Sequence, residues 1–311
     1  VTGHPELGPL RPGDRVGLVA TSGAPSPHNL AEAVAVLSGW GLVPVLGRHI
    51  GDRHPRASYL AGADADRARD LQDAWCDDTL RAVFVVRGGY GAVRVLDLLD
   101  PDLLRSARPK PLVGSSDVTA VHEYWAEHLG LATWFTPMAA TGAFLDDETA
   151  RAGVREALFE PFPGRSLGSF EAVTLVPGTA TGSLTGGNLS LLSMTLGARG
   201  RPTPGIMGRN AGRIALLEDV GEPVYKIDGL LHSLLRSGWF EGLSGIALGS
   251  WTDCGEPGEV RALVEEVLVP LGVPLVWQLG FGHGSAALSV PLGVPATLHA
   301  GPVPRLELHR P

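Results

Sequence analysis

The run Pro111-Leu112-Val113-Gly114-Ser115-Ser116-Asp117-Val118-Thr119-Ala120 contains a hydroxyl in a place where it could become a nucleophile. An apolar strand pattern stops at Gly114, two serines and an aspartate follow, and helical spacing then begins through Val118, Val121, Trp125 and Leu129. A serine on such a strand-to-helix turn is held out from the backbone. The first free N–H groups of the helix lie beside it and can stabilise an oxyanion. Ser and Asp are also the favoured helix caps. The run by itself therefore leaves open both the role and the choice between Ser115 and Ser116.

A hydroxyl nucleophile needs a base near neutral pH and a carboxylate to orient that base. Of the ten histidines, most sit in charged loops, helical patterns or terminal strands. His283 differs. It lies in Gly280-Phe281-Gly282-His283-Gly284, after the apolar stretch Val273–Leu279, where glycines let the backbone approach closely and leave the imidazole unhindered. The carboxylate candidate is Glu218, near the end of the apolar strand pattern Arg213–Asp219. Asp219 reads as a cap, and alternation along a strand turns Glu218 to the other side. The order Ser, Glu, His matches hydrolases with a nucleophile elbow, but Val118 stands where the second glycine of Gly-x-Ser-x-Gly belongs. The turn Arg87-Gly88-Gly89-Tyr90-Gly91 follows a strand pattern over Ala82–Val86. It reads either as a poor dinucleotide loop or as a pocket of backbone N–H groups, with Arg87 available to a carboxylate.

These residues must be carried by elements. Strand patterns at Arg15–Ala20, Leu42–Val45, Arg81–Val86 and around Leu112 alternate with helical patterns at His28–Trp40, Asp64–Trp75 (capped by Asp64), Tyr90–Leu99 and after Asp117. Such alternation predicts parallel β-α-β units with helices on both faces of a sheet. Ligands then lie outside the carboxyl ends of the strands, where Thr21–Pro25, Arg87–Gly91 and Gly114–Asp117 all fall. Residues 1–145 read as this domain. Residues 146–174, with Pro161, Pro163 and Gly164, read as a linker, and residues 175–311 as a smaller α/β domain with a mixed, barrel-like sheet. Its strand patterns are Ala172–Val176, Arg213–Glu218, Gly245–Leu248, Ala296–His299 and Pro304–Leu308, and its helical patterns lie near Leu189–Leu196, Tyr225–Leu235 and Val260–Val269.

Bulk properties narrow the function classes. A chain of 311 residues with 44% hydrophobic and 19% charged residues affords a large core. A net charge of −8 with interspersed signs argues against a nucleic-acid partner. Cys76 and Cys254 stand alone, and no metal or P-loop motif occurs, so neither metal nor cofactor is expected. The first twenty residues, with Pro5, Glu6, Pro9, Pro12 and Asp14, lack a signal-peptide pattern, and no run suits a bilayer, so the expected location is the cytoplasm.

Several segments in common order resemble the LD-carboxypeptidase family of serine peptidases, which includes the microcin C immunity proteins. They are Arg11-Pro12-Gly13-Asp14, Ser22-Gly23-Ala24-Pro25, Tyr59-Leu60-Ala61-Gly62 with Arg67 and Asp70-Leu71, Arg87 to Gly91, Gly114 to Thr119, Gly186 to Ser190, Leu217-Glu218-Asp219 with Tyr225 to Asp228, and Gly282-His283. The resemblance implies a flavodoxin-like first domain, a smaller second domain and a Ser–His–Glu triad drawn from both. It selects Ser116 as nucleophile, with Glu218 and His283 as partners. The backbone of Asp117 and Gly89 is then expected to form the oxyanion hole, with Arg87 and Gly88 binding substrate. The implied reaction is hydrolysis of the amide before a C-terminal D-amino acid in murein tetrapeptide, during cell-wall recycling and by way of an acyl-enzyme. A homodimer is also implied. Two alternatives remain: an immunity-type hydrolase acting on a peptide-nucleotide antibiotic, and a noncatalytic ligand-binding protein on the same scaffold. Phe135-Thr136-Pro137-Met138 and Gly229 depart from the family pattern.

Overall fold

The computed structural model describes residues 7–197 and 208–310. Pro5 and Glu6, used in reading the chain start, lie outside the described residues. The chain divides into two compact units. One runs as far as Pro161 and takes in Ser289–Pro291; the other comprises Phe162–Leu288 and Leu292–Pro311.

The first unit is built on the expected parallel sheet. Its strands are β1 (Arg15–Val19), β2 (Val43–Leu46), β3 (Leu80–Val85), β4 (Leu112–Gly114) and β5 (Thr133–Phe135). All paired neighbours among these five are parallel, in the order β2-β1-β3-β4-β5. That is the flavodoxin-like doubly wound order. A sixth strand, Val290–Leu292, arrives from far along the chain and borders β5. Nothing in so short a run announces that role.

The helices form where their faces can be buried. Pro27–Gly39 starts behind Ser26, whose side chain accepts from the Asn29 N–H, and it buries Ala33 and Leu37. Asp64–Cys76 buries Ala68, Leu71 and Trp75, and the Trp75 ring meets Trp125 edge-on at 5.1 Å. Asp64 is not the cap of this helix. Ala63 occupies that position without a side-chain bond, and the Asp64 carboxylate pairs instead with Arg67 and Arg94. The helix expected over Tyr90–Leu99 shrinks to Ala92–Val95 plus a 3-10 turn, Leu96–Leu98. Gly91, at φ +134°, blocks its start, and Asp100 with Pro101 begins another helix.

The stretch 146–174 contains a helix, Glu148–Phe159. Asp147 caps it, and Ala150, Val154, Ala157 and Leu158 bury one face in the first unit. The change of unit falls at Pro161–Phe162. The proline and glycine that suggest a linker mark only the end of that helix.

The second unit contains β6 (Ser166–Leu167), β7 (Val173–Val176), β8 (Gly178–Asn188), β9 (Ile214–Val220), β10 (Gly245–Thr252), β11 (Leu275–Trp277), β13 (Pro295–Ala300) and β14 (Arg305–Leu308), with β12 being Val290–Leu292. Their order is β6-β14-β13-β8-β9-β10-β11-β7. β8, β9, β10 and β11 pair in parallel; β13, β14, β6 and β7 add antiparallel edges. β8 changes partner along its length: Gly178–Ser183 face β13, and Leu184–Asn188 face β9. This switch curls the sheet. The Thr174 hydroxyl at one edge donates to the Gly301 carbonyl, in the turn between β13 and β14, at 2.8 Å. The mixed, barrel-like expectation describes this sheet. β8 carries no clear strand signal in sequence, because four glycines interrupt it. Helices Leu189–Met194, Val224–Arg236 and Pro257–Leu268 cover a core that includes Leu217, Ile227, Leu231, Trp239, Leu248 and Val264.

Candidate active site

In the first unit the candidate site stands at the carboxyl ends of β1, β3 and β4. Ser115 is extended and buried. Ser116 is half-buried and sits at φ +58°, a left-handed conformation uncommon for any residue with a Cβ. Such strain, of order 1–3 kcal/mol, persists where the surroundings enforce it. Gly88 lies close by: a Cβ there would fall 3.1 Å from Ser116 Cβ and 3.2 Å from its Oγ. A side chain at that position would crowd the serine and force a shift of a few tenths of an ångström.

The other residues of this half have definite places. The Asp117 carboxylate is buried and accepts from the Ala92 N–H at 2.7 Å. Burial raises its pKa above the usual range, against the hydrogen bonds from Ser22 and Ala92. Gly89 is exposed at φ +106°. Arg87 is exposed and donates from Nη1 to the Ala24 carbonyl at 2.5 Å. Behind the turn lies His122, on the helix Thr119–Tyr124. Its Nε2–H donates to the Gly114 carbonyl at 3.0 Å. Burial pushes its pKa down to about 4, against that hydrogen bond. It is therefore a neutral buttress under the end of β4.

In the second unit the histidine and glutamate come together. Glu218 is fully buried near the end of β9, and its Oε2 meets His283 Nδ1 at 2.6 Å. With Nδ1–H donating to the carboxylate, Nε2 remains as the basic nitrogen. Burial opposes charging the ring, but the adjoining Glu218 carboxylate, with Asp219 behind it, outweighs that, so the His283 pKa lies above the ordinary histidine value.

Two further residues hold this pair, and sequence reading gave neither a role. Asn188 Nδ2 donates to Glu218 Oε1 at 3.2 Å and to Asp219 Oδ1 at 2.9 Å. Ser250 Oγ accepts from the N–H groups of His283, at 2.7 Å, and Gly284, at 3.0 Å. The glycines around His283 have a physical reason: a Cβ on Gly282 would fall 2.6 Å from Ser250 Oγ and 2.9 Å from Glu218 Oε2. Asp219 does not cap the helix that follows β9, whose cap position is Pro223, but it serves the start of the helix Leu189–Met194 from outside. Its carboxylate accepts from the Ser190 N–H and hydroxyl, from Asn188 and from the Val220 N–H.

Away from both halves, His49, Asp52 and Asp66 bring ligating atoms within 4.8 Å of one another in the first unit. Asp66 is also engaged by Arg69 at 3.0 Å. No helix among the described residues is long and apolar enough to cross a membrane.

Comparison with known proteins gives consistent matches along the chain. Residues 16–136 match the model of the LD-carboxypeptidase N-terminal domain, and residues 181–298 that of the LD-carboxypeptidase C-terminal domain. A putative carboxypeptidase of Streptomyces coelicolor is 47% identical, covering 97% of this chain and 95% of the relative. A murein tetrapeptide carboxypeptidase of Pseudomonas aeruginosa is 33% identical over 91% of this chain and 92% of its own. Among solved structures, an MccF-like protein of Bacillus anthracis superposes with a TM-score of 0.83 over 97% of this chain and 98% of that one. At 22% identity, that likeness speaks for the fold.

Proposed function

Because the chain belongs to the LD-carboxypeptidase family, we propose that it is a serine-type carboxypeptidase that releases a C-terminal D-amino acid from murein tetrapeptide. The observation that carries this reading is the pairing of buried Glu218 with half-buried His283 at 2.6 Å, which leaves an imidazole poised as a base. The hydroxyl assigned to this base is that of Ser116, which sits at a strained turn close to Gly88. Ser116 Oγ attacks the amide carbonyl as His283 Nε2 takes its proton, and Glu218 stabilises the imidazolium. The N–H groups of Asp117 and Gly89 receive the oxyanion, each worth about 10²–10³ in rate by precedent. Arg87, beside Gly88, receives the substrate's terminal carboxylate. His283 then protonates the leaving amine, and water releases the acyl group. The murein substrate is supported by the relative of P. aeruginosa that bears that name. A cytoplasmic role in wall recycling fits this substrate.

The test is mass spectrometry of products from purified murein tetrapeptide, with Ser116→Ala as control. We expect release of the terminal D-amino acid and a loss of about 10³-fold or more in the variant. Hydrolysis of a peptide-nucleotide antibiotic with the tetrapeptide left intact would assign the chain to the immunity-type reading. Tight binding of tetrapeptide without turnover, unchanged by Ser116→Ala, would make it a binding protein.

A further inference from the structure

We propose that Arg67 is a positioning residue for the nucleophile, fixing from inside the first unit the two turns whose contacts lead to Ser116 and to Asp117 beside it. The inference rests on the reading of Ser116 as nucleophile.

Arg67 projects from the helix Asp64–Cys76 and is fully buried. Its Nη1 donates to the Thr21 carbonyl, just beyond β1, and to the Gly91 carbonyl, in the turn beyond β3, at 3.1 Å. Its Nη2 pairs with Asp64. One guanidinium thus joins the carboxyl ends of two neighbouring strands, the edge where this sheet type does its chemistry.

Two hydrogen-bonded paths lead from those anchors to the nucleophile. Beyond Thr21, the Gly23 N–H donates to the Gly88 carbonyl at 3.1 Å, and Gly88 abuts Ser116. Beyond Gly91, the Ala92 N–H donates to the carboxylate of Asp117 at 2.7 Å, the residue after Ser116. The fit is close: at Gly91 an added Cβ would overlap the guanidinium.

Stability alone does not explain a charge in this place. Burying a guanidinium is costly, and apolar residues of similar volume commonly replace buried ion pairs without loss. Arg67 Nε finds no hydrogen-bond partner, so the burial is not fully compensated. Asp64 does not need Arg67 either, because Arg94 Nε reaches both its oxygens at 3.0 Å and Arg94 Nη2 reaches Oδ2 at 2.7 Å. What Arg67 alone supplies is the link between the Thr21 and Gly91 carbonyls. A lysine ammonium, a single point of charge, lacks the fork to span both carbonyls and the carboxylate.

Arg67→Met and Arg67→Lys, made in the full chain, test this with three readouts. Folding is checked by thermal melting, and Ser116 reactivity by the rate of labelling with a fluorophosphonate, followed by intact mass. Hydrogen exchange is followed in the peptides covering 87–92 and 115–118. We expect both variants to fold, to label at least tenfold more slowly, and to exchange at least tenfold faster in those two segments while the second unit is unchanged. With murein tetrapeptide, kcat should fall with KM within about threefold. A folded variant that keeps wild-type labelling and wild-type exchange overturns the proposal. Should both variants misfold, Asp64→Asn at the partly exposed end of the pair serves instead, and unaltered exchange at 87–92 there overturns it equally. Failure of the wild type to label at Ser116 strikes the nucleophile reading, whereas the exchange measurement still decides the role of Arg67.

Discussion

At the scale of the residue, the proposed mechanism makes the His283–Glu218 pair the source of the pH behaviour. The base works only when neutral, and its pKa is raised above the ordinary value by Glu218 in spite of burial. The acid limb of kcat/KM should therefore have its midpoint above the usual histidine range. Glu218→Gln removes the main attraction and leaves burial opposed only by the Asp219 carboxylate. The limb should then move to lower pH, and the rate should fall by about 10³–10⁴, as when a triad carboxylate is neutralised. An unmoved limb in the variant would show that another group governs it. The same shift has a consequence for folding. The stabilisation it contributes is present at low pH and fades as pH rises through the raised value. His283 and Glu218 could be picked out by residue type and local glycine content. Asn188 and Ser250 could not, because an asparagine at the end of a glycine-rich strand and a serine inside β10 carry no signal until their partners are seen.

At the scale of the element, the turn that carries Ser116 depends on what lies beneath it. The Gly114 carbonyl accepts from both His122 Nε2 and the Thr136 N–H, so β4 is anchored where the strained serine begins. The His122 pKa of about 4 in the fold, against about 6.5 unfolded, means that the unfolded chain binds more protons between those values. Stability should accordingly fall by up to about 3 kcal/mol as pH drops from 7 to 4 on account of this residue. His122→Gln keeps an N–H donor but not the titration. Urea melts at pH 7 and pH 5 should show a smaller acid loss in the variant, and parallel losses would rule out a neutral buried ring. The elements themselves were mostly legible, since β1, β3 and the helix Asp64–Cys76 show clear periodicity. The helix Glu148–Phe159 was obscured by the prolines after it, and the expected Tyr90–Leu99 helix was overruled by Gly91 and Pro101.

At the scale of the whole molecule, the proposed triad draws Ser116 from one unit and Glu218 with His283 from the other. If these act as one machine, their losses are not additive. Ser116→Ala/His283→Ala should be about as slow on murein tetrapeptide as Ser116→Ala alone. A double variant slowed by the product of the single losses would mean that the two side chains serve separate steps. The amino-acid sequence by itself determined the alternation that makes the first sheet parallel, the strand-end turns and the residue types able to do acyl transfer, because periodicity and turn chemistry are local. Only the tertiary structure decided which groups meet. Glu218 and His283 are 65 positions apart, and Arg67 reaches two strand ends from a helix. The strand Val290–Leu292 joins a sheet whose other members end at Phe135. Such pairings depend on how buried surfaces fit together across long stretches of chain, and no window of neighbouring residues contains that information.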